Sequence, residues 1–223
     1  MSDQQKYIGV GDIHGCAESL SAMLEKLEEY SDRTIVFIGD YIDRGPDSKR
    51  SVDLLLKFRE DHDCIFLRGN HEQMLLDAHQ IGDFSLWMMN GGRVTLNSYD
   101  TDVHDFDISD SHMEFYRQTR MYYDTENYFF VHAGLKPYKT IRESIENGED
   151  VESFLWERSH LDAPETAWEK TVVFGHTPKR SPFEREKMIG IDTGCVFRTM
   201  GYGKLTSVLL PEEEYIQQDC IDI

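Results

Sequence analysis

Short apolar runs in this chain repeatedly stop at a glycine-flanked polar loop and then give way to helical spacing. Tyr7-Ile8-Gly9-Val10 ends at Gly11-Asp12-Ile13-His14-Gly15, and Ala17, Leu20, Met23, Leu24 and Leu27 follow at the spacing of one helix face. Thr34 to Ile38 runs into GDYIDRGPD, followed by Val52, Leu55, Leu56 and Phe58. Cys64 to Leu67 runs into RGNHE, and Met74, Leu75 and Ala78 open a third helical stretch. Three strand-loop-helix units in succession predict α/β architecture with parallel strands.

From about Ile81 to Asn127 the rhythm breaks. Trp87, the turn signal Asn90-Gly91-Gly92, Tyr99 and a group of aspartates predict a largely helical insert, expected to form one wall of a cleft. Strands resume at Tyr128 to Val131, ending at His132-Ala133-Gly134, and at Thr171 to Phe174, ending at Gly175-His176-Thr177. Two more are expected at Met188 to Ile191 and Leu205 to Leu210. With 223 residues and no fixed-period repeat, the expectation is one domain spanning 1–223 with an insert at about 81–127.

Composition narrows the function classes. A formal charge of -19 repels the phosphate backbone that a nucleic-acid binder must neutralise, which argues against DNA and RNA as partners. The acidic stretches Asp100 to Asp110 and Glu143 to Glu157 are expected to be solvated surface. No apolar run approaches the roughly 20 residues of a membrane span, and the first residues lack both a basic region and a long apolar stretch, so a cytoplasmic protein is expected. Cys16, Cys64, Cys195 and Cys220 form no CxxC pair, which predicts reduced thiols and neither a disulfide framework nor a thiolate zinc site.

The polar clusters all sit where predicted strands end, the place where open α/β sheets gather ligands. Asp12 and His14, Asp40 and Asp43, Asn70 and His71, His132, and His176 occupy five such ends. One Asp or His beside a glycine is ordinarily a turn or cap residue, but structural needs seldom demand the whole ordered set. Mixtures of Asp, His and Asn without Cys suit hard or borderline divalent cations, and one carboxylate can bridge two of them. Such a pair can share a hydroxide and hold phosphoryl oxygens for in-line displacement. A phosphocysteine mechanism is excluded, because Ala22, Asn70 and Gly201 stand where Cys16, Cys64 and Cys195 would need an Arg.

GDIHG, GDYIDRG, RGNHE, HAG and GHT, in this order from Gly11 to about Gly194, resemble the phosphoprotein phosphatase family within the calcineurin-like metallophosphoesterases. The resemblance implies a central β-sandwich flanked by helices. It implies Asp12, His14 and Asp40 on one metal and Asp40, Asn70, His132 and His176 on the other, with manganese expected and iron or zinc as alternatives. It further implies a metal-bridging hydroxide attacking phosphorus, His71 as general acid oriented by Asp43, and Arg44 and Arg158 gripping the phosphate. HAG is similar to the bacterial and phage branch, so the expected substrate is a phosphorylated protein or peptide, on Ser or Thr and in some members Tyr. Two alternatives remain at this point: symmetrical hydrolysis of diadenosine tetraphosphate, for which the acidic composition looks poorly suited, and a catalytically inactive phosphoprotein-binding module. Arg68 reads as structural, Trp87 and Trp168 as packing residues, and His62, His79, His104, His112 and His160 as surface residues.

Overall fold

The computed structural model describes residues 5–146, 151–199 and 201–223. In chain order the elements are β1 (Tyr7–Val10), α1 (Ala17–Leu27), β2 (Thr34–Phe37), α2 (Ser48–Phe58), β3 (Cys64–Phe66) and α3 (Asn70–Ile81). Then come α4 (Ser85–Met89), α5 (Gly92–Ser98), α6 (Asp110–Gln118), β4 (Tyr122–Asp124), β5 (Tyr128–Val131), α7 (Ile141–Glu146) and α8 (Val151–Trp156). The chain closes with β6 (Thr171–Phe174), β7 (Phe183–Arg185), β8 (Met188–Gly190), β9 (Asp192–Thr193), β10 (Lys204–Leu210) and β11 (Glu214–Asp219).

The strands form two sheets, one ordered β11-β10-β1-β2-β3 with β9 on β10, the other β4-β5-β6-β8-β7. The predicted parallel pairing holds for β1-β2-β3 and for β5-β6-β8, and the remaining pairs are antiparallel. Because successive strand side chains point to opposite faces, each strand feeds two cores. Val36, Ile38, Tyr128, Phe130, Val173 and Ile189 meet between the sheets. Ile8, Val10, Ile35 and Phe37 turn outward onto the apolar faces of α1, α2 and α3. On the other side, Phe129, Val131, Val172 and Phe174 pack on Ile141, Phe154 and Trp168. Burial on both faces explains why these strands read as unbroken apolar runs.

The predicted insert is helical through α4, α5 and α6, but it ends in β4, which pairs with β5. β11, with its half-exposed Tyr215 and Gln217, had no apolar run to announce it. The histidines need correction as well. His79 and His104 are exposed, but His112 and His160 are buried, and His62 stacks half-buried on Phe58. His112 is taken inside because Tyr99 and Asp53 satisfy its two ring nitrogens. The stretch Asp100 to Asp110 is largely exposed as expected, whereas 147–150 of the second acidic stretch lies outside the described residues.

Candidate active site

The loops at the carboxyl ends of β1, β2, β3, β5 and β6 converge, and they bring the six predicted ligands into one buried place. Asp12, His14, Asp40, Asn70, His132 and His176 are each no more than 7% exposed. The backbone bends sharply to achieve this. His14, Asp40, Asp43, Arg44 and His176 all have positive φ, 49° to 72°, a conformation non-glycine residues adopt at a cost. Five of the eight such non-glycine residues among those described thus fall in this one place, so strain is concentrated here. Two flanking glycines are needed for close approach: a Cβ on Gly69 would lie 2.1 Å from Asp40 Oδ1, and one on Gly175 2.2 Å from Asp12 Oδ1.

Asp40 is the hub. Its Oδ2 lies 3.4 Å from His14 Nε2 and its Oδ1 3.4 Å from His132 Nε2, so each oxygen faces one half of the cluster. Ligand atoms of His14, Asp40 and His71 lie within 4.8 Å of one another, as do those of Asp40, His132 and His176. His14 Nδ1 donates to the Ile42 carbonyl (2.8 Å) and His132 Nδ1 to that of Ile38 (2.9 Å). Those backbone acceptors fix each neutral ring with its Nε2 lone pair aimed into the cluster. Burial pushes the imidazolium form of His14 down to about 3 and that of His176 to about 2, and lowers His132 too. Burial alone would raise Asp40, but His132, His71, His14 and His176 around it pull it below the carboxylate range.

Asp12 is held by the main-chain N–H of His176, which donates to both its oxygens at 3.2 and 3.1 Å. Burial, Asp192 and Asp40 drive its carboxyl well up, and burial lifts Asp192 to about 7. Asp192 and Glu72 went unassigned in the sequence. Glu72 accepts from the N–H groups of Asp40 (2.9 Å), Tyr41 (2.8 Å) and Gly69 (2.9 Å), bracing the β2 loop against the start of α3.

On the other side of Asp40, His71 Nδ1 is 2.6 Å from Asp43 Oδ2. Asp43 is held by Trp87 Nε1 (2.8 Å) and by the Thr95 hydroxyl (2.6 Å), while its own N–H donates to Ser48 Oγ and Thr95 Oγ1. Trp87, read as packing, and Thr95, not singled out at all, therefore orient the predicted acid, and α4 and α5 of the insert stand behind it. His71 Nε2 is buried without a partner, 4.0 Å from Asp40 Oδ2. Burial lowers a histidine's affinity for its proton, but here Asp40 and Asp43 outweigh it and the net shift is upward.

Arg44 and Arg158 are exposed at the rim. Arg44 Nη1 donates to His14 Nε2 (2.8 Å), and the Arg158 charge is felt at His176. Phe197 lies under the Arg44 guanidinium, 6.0 Å from ring centre, and next to Tyr202, while Trp156, 39% exposed, stands edge-on to His176. Arg68 instead clasps Thr119 and the carbonyls of Tyr116 and Arg117, the structural role its sequence position suggested. Trp168 is core packing.

The donor set suits divalent cations on its own geometry. Asn70 Oδ1 lies 3.0 Å from both His132 Nε2 and His176 Nδ1, so lone pairs converge where no proton is available to His132 Nε2. Asp12, Asp40 and Asp192 lie close enough for their negative charges to repel one another. Positive charge at the cluster would relieve both the converging lone pairs and this repulsion.

Residues 6–195 match the family described as calcineurin-like phosphoesterase. The chain is similar to serine/threonine-protein phosphatase 1 of Salmonella typhimurium, 32% identical over 200 residues, with 84% of this chain and 86% of that protein covered. It is also similar to an asymmetrical bis(5'-nucleosyl)-tetraphosphatase of Oceanobacillus iheyensis, 28% identical over 229 residues, covering 93% and 89%. Among solved structures, a protein serine/threonine phosphatase from Saccharomyces cerevisiae superposes with a TM-score of 0.64 at 14% identity, covering 100% of this chain and 82% of that one, a likeness of fold.

Proposed function

Since the chain belongs to the calcineurin-like phosphoesterase family, we propose that it is a protein serine/threonine phosphatase with His71 as its general acid. In this reading Asp12, His14 and Asp40 hold one divalent ion, and Asp40, Asn70, His132 and His176 hold the second. When bound, the ions supply a Lewis acid for the phosphoryl oxygens and activate the attacking water. Arg44 and Arg158 bind the non-bridging oxygens through their planar donor forks. His71 gives the proton on Nε2 to the departing seryl or threonyl oxygen, and Asp43 keeps that ring charged and aimed.

The observation that carries this is the dyad itself: a buried His71 paired to Asp43 at 2.6 Å, its other nitrogen free and turned toward Asp40. It argues against an inert binding module, which needs no poised proton donor. The choice of a protein substrate leans on the likeness to the Salmonella phosphatase.

A second reading has its own support. Phe197 beside Arg44, with Tyr202 packed edge-on against it, and Trp156 beside His176 offer aromatic surface near the site, so its surroundings are less hostile to a dinucleoside polyphosphate than the net charge suggested. The Oceanobacillus relative carries the asymmetrical activity in its name, so the alternative is better framed as asymmetrical than as the symmetrical cleavage first considered. Rates on phosphoserine and phosphothreonine peptides compared with diadenosine tetraphosphate decide between them. Faster turnover of the peptides supports the protein phosphatase; faster release of AMP and ATP from the dinucleotide overturns it.

A further inference from the structure

Three of the four cysteines, far apart in sequence, meet in space. The sulfurs of Cys16, Cys195 and Cys220 all lie within 4.8 Å of one another, Cys16 and Cys195 buried and Cys220 half-buried. Cys16 closes the loop that carries Asp12 and His14, immediately before α1. Cys195 follows β9 in the loop that continues to Phe197, and Cys220 follows β11. The last residues fold back over this point. Asp222 accepts from the N–H groups of Glu18 (2.8 Å) and Ser19 (3.0 Å), capping the first turn of α1, and its Oδ2 is 3.9 Å from Cys220 Sγ. Spacing along the chain gave no hint of this cluster, because each sulfur comes from a different loop.

We propose that Cys16, Cys195 and Cys220 form a second, sulfur-lined site for a thiophilic divalent cation such as zinc or cadmium, which ties the C-terminal tail to the loop carrying Asp12 and His14. Three sulfurs bound at about 2.3 Å to one ion would stand roughly 3.8–4.0 Å apart, so the observed cluster closes on an ion by shifts of under about 1 Å. The soft donors complement the O/N cluster, so the two sites sort cations by chemistry. The Asp222 carboxylate at the rim adds a negative charge, and Cys220 gives a path from solvent. Binding forms sulfur–metal bonds and releases the thiol protons to water.

The test is a cadmium titration of the full chain in excess manganese, read by the ultraviolet thiolate-to-cadmium charge-transfer band. That band is blind to O/N ligands. One equivalent of cadmium should saturate it, Cys64→Ser should leave it unchanged, and Cys220→Ser should weaken binding by more than the roughly tenfold typical of losing a supporting partner. Manganese-dependent cleavage of p-nitrophenyl phosphate by Cys220→Ser reports that the variant is folded. On the unaltered protein, cadmium should protect Cys220 from alkylation while Cys64 keeps its rate, as mapped by mass spectrometry. Absence of the band, or a band lost with Cys64 and retained without Cys220, would overturn the proposal and leave the three thiols as ordinary core packing.

Discussion

The two sides of Asp40 use the same side chain for opposite ends. On one side His14 and His132 donate Nδ1 to the backbone carbonyls of Ile42 and Ile38, and burial holds both rings neutral with lone pairs turned inward. On the other, His71 donates Nδ1 to the Asp43 carboxylate, and its proton affinity rises despite equal burial. In the proposed reading, the carbonyl acceptors leave His14 and His132 neutral with a lone pair to give, while the Asp43 carboxylate favours a charged His71 with a proton to give.

Several substitutions can break that contrast. The largest effect is expected for Asp40→Asn, whose charge serves both halves. Losing the several kcal/mol of metal-ion stabilisation, at 1.36 kcal/mol per tenfold, should cost roughly 10³-fold or more in kcat/KM on p-nitrophenyl phosphate, with bound metal reduced in elemental analysis. His71→Asn should cost about 10²–10³-fold with metal content unchanged. The loss should be greater for phosphoserine than for p-nitrophenyl phosphate, because a poor leaving group depends more on the proton. Equal losses on both substrates would remove His71 from the acid's role.

Trp87→Phe sharpens the comparison from the second layer. A hydrogen bond to a charged group contributes roughly 1.5–3 kcal/mol, so kcat should fall about tenfold or somewhat more while KM and metal content hold. A change confined to thermal stability would make Trp87 a packing residue after all.

His160 is the third case, an imidazole with neither kind of acceptor. It is fully buried in the short turn Ser159–Leu161, edge-on to Phe174 at 4.6 Å, and neither ring nitrogen has a partner. Burial pushes it down to about 4. Between that value and the ordinary 6.5 or so, the unfolded chain binds the extra proton and the folded chain does not. This residue therefore lowers stability as pH falls from about 6.5 to about 4, by on the order of 2–3 kcal/mol at 1.36 kcal/mol per unit. In His160→Leu that portion of the acid destabilisation should vanish from urea unfolding curves at pH 7 and pH 4.5, with turnover at pH 7 little changed. An undiminished pH dependence would show that another group is responsible.

How much of this was legible depended on distance along the chain. The six candidate ligands announced themselves because each follows a short apolar strand and lies within two residues of a glycine, a pattern contained within a few residues. Asp43's supports did not: Trp87 and Thr95 lie 44 and 52 residues away, on helices whose own patterns look like packing. Cys16, Cys195 and Cys220 were invisible as a group for the same reason, since each lies in a different loop. His112 and His160 were misread because polar neighbours in sequence say little about which side of the chain turns inward. β11 escaped because half-exposed strands carry no apolar run. Local chemistry is written in local sequence; the groups that tune it arrive by the fold.

The central claim is that Asp40 stands between two cations while His71 stands apart from both. Anomalous diffraction from crystals grown with manganese tests it most directly. Two peaks per chain are expected, one among Asp12, His14 and Asp40, the other among Asp40, Asn70, His132 and His176, with His71 Nε2 bound to neither. A single peak, or a manganese ion coordinated by His71, would contradict the account.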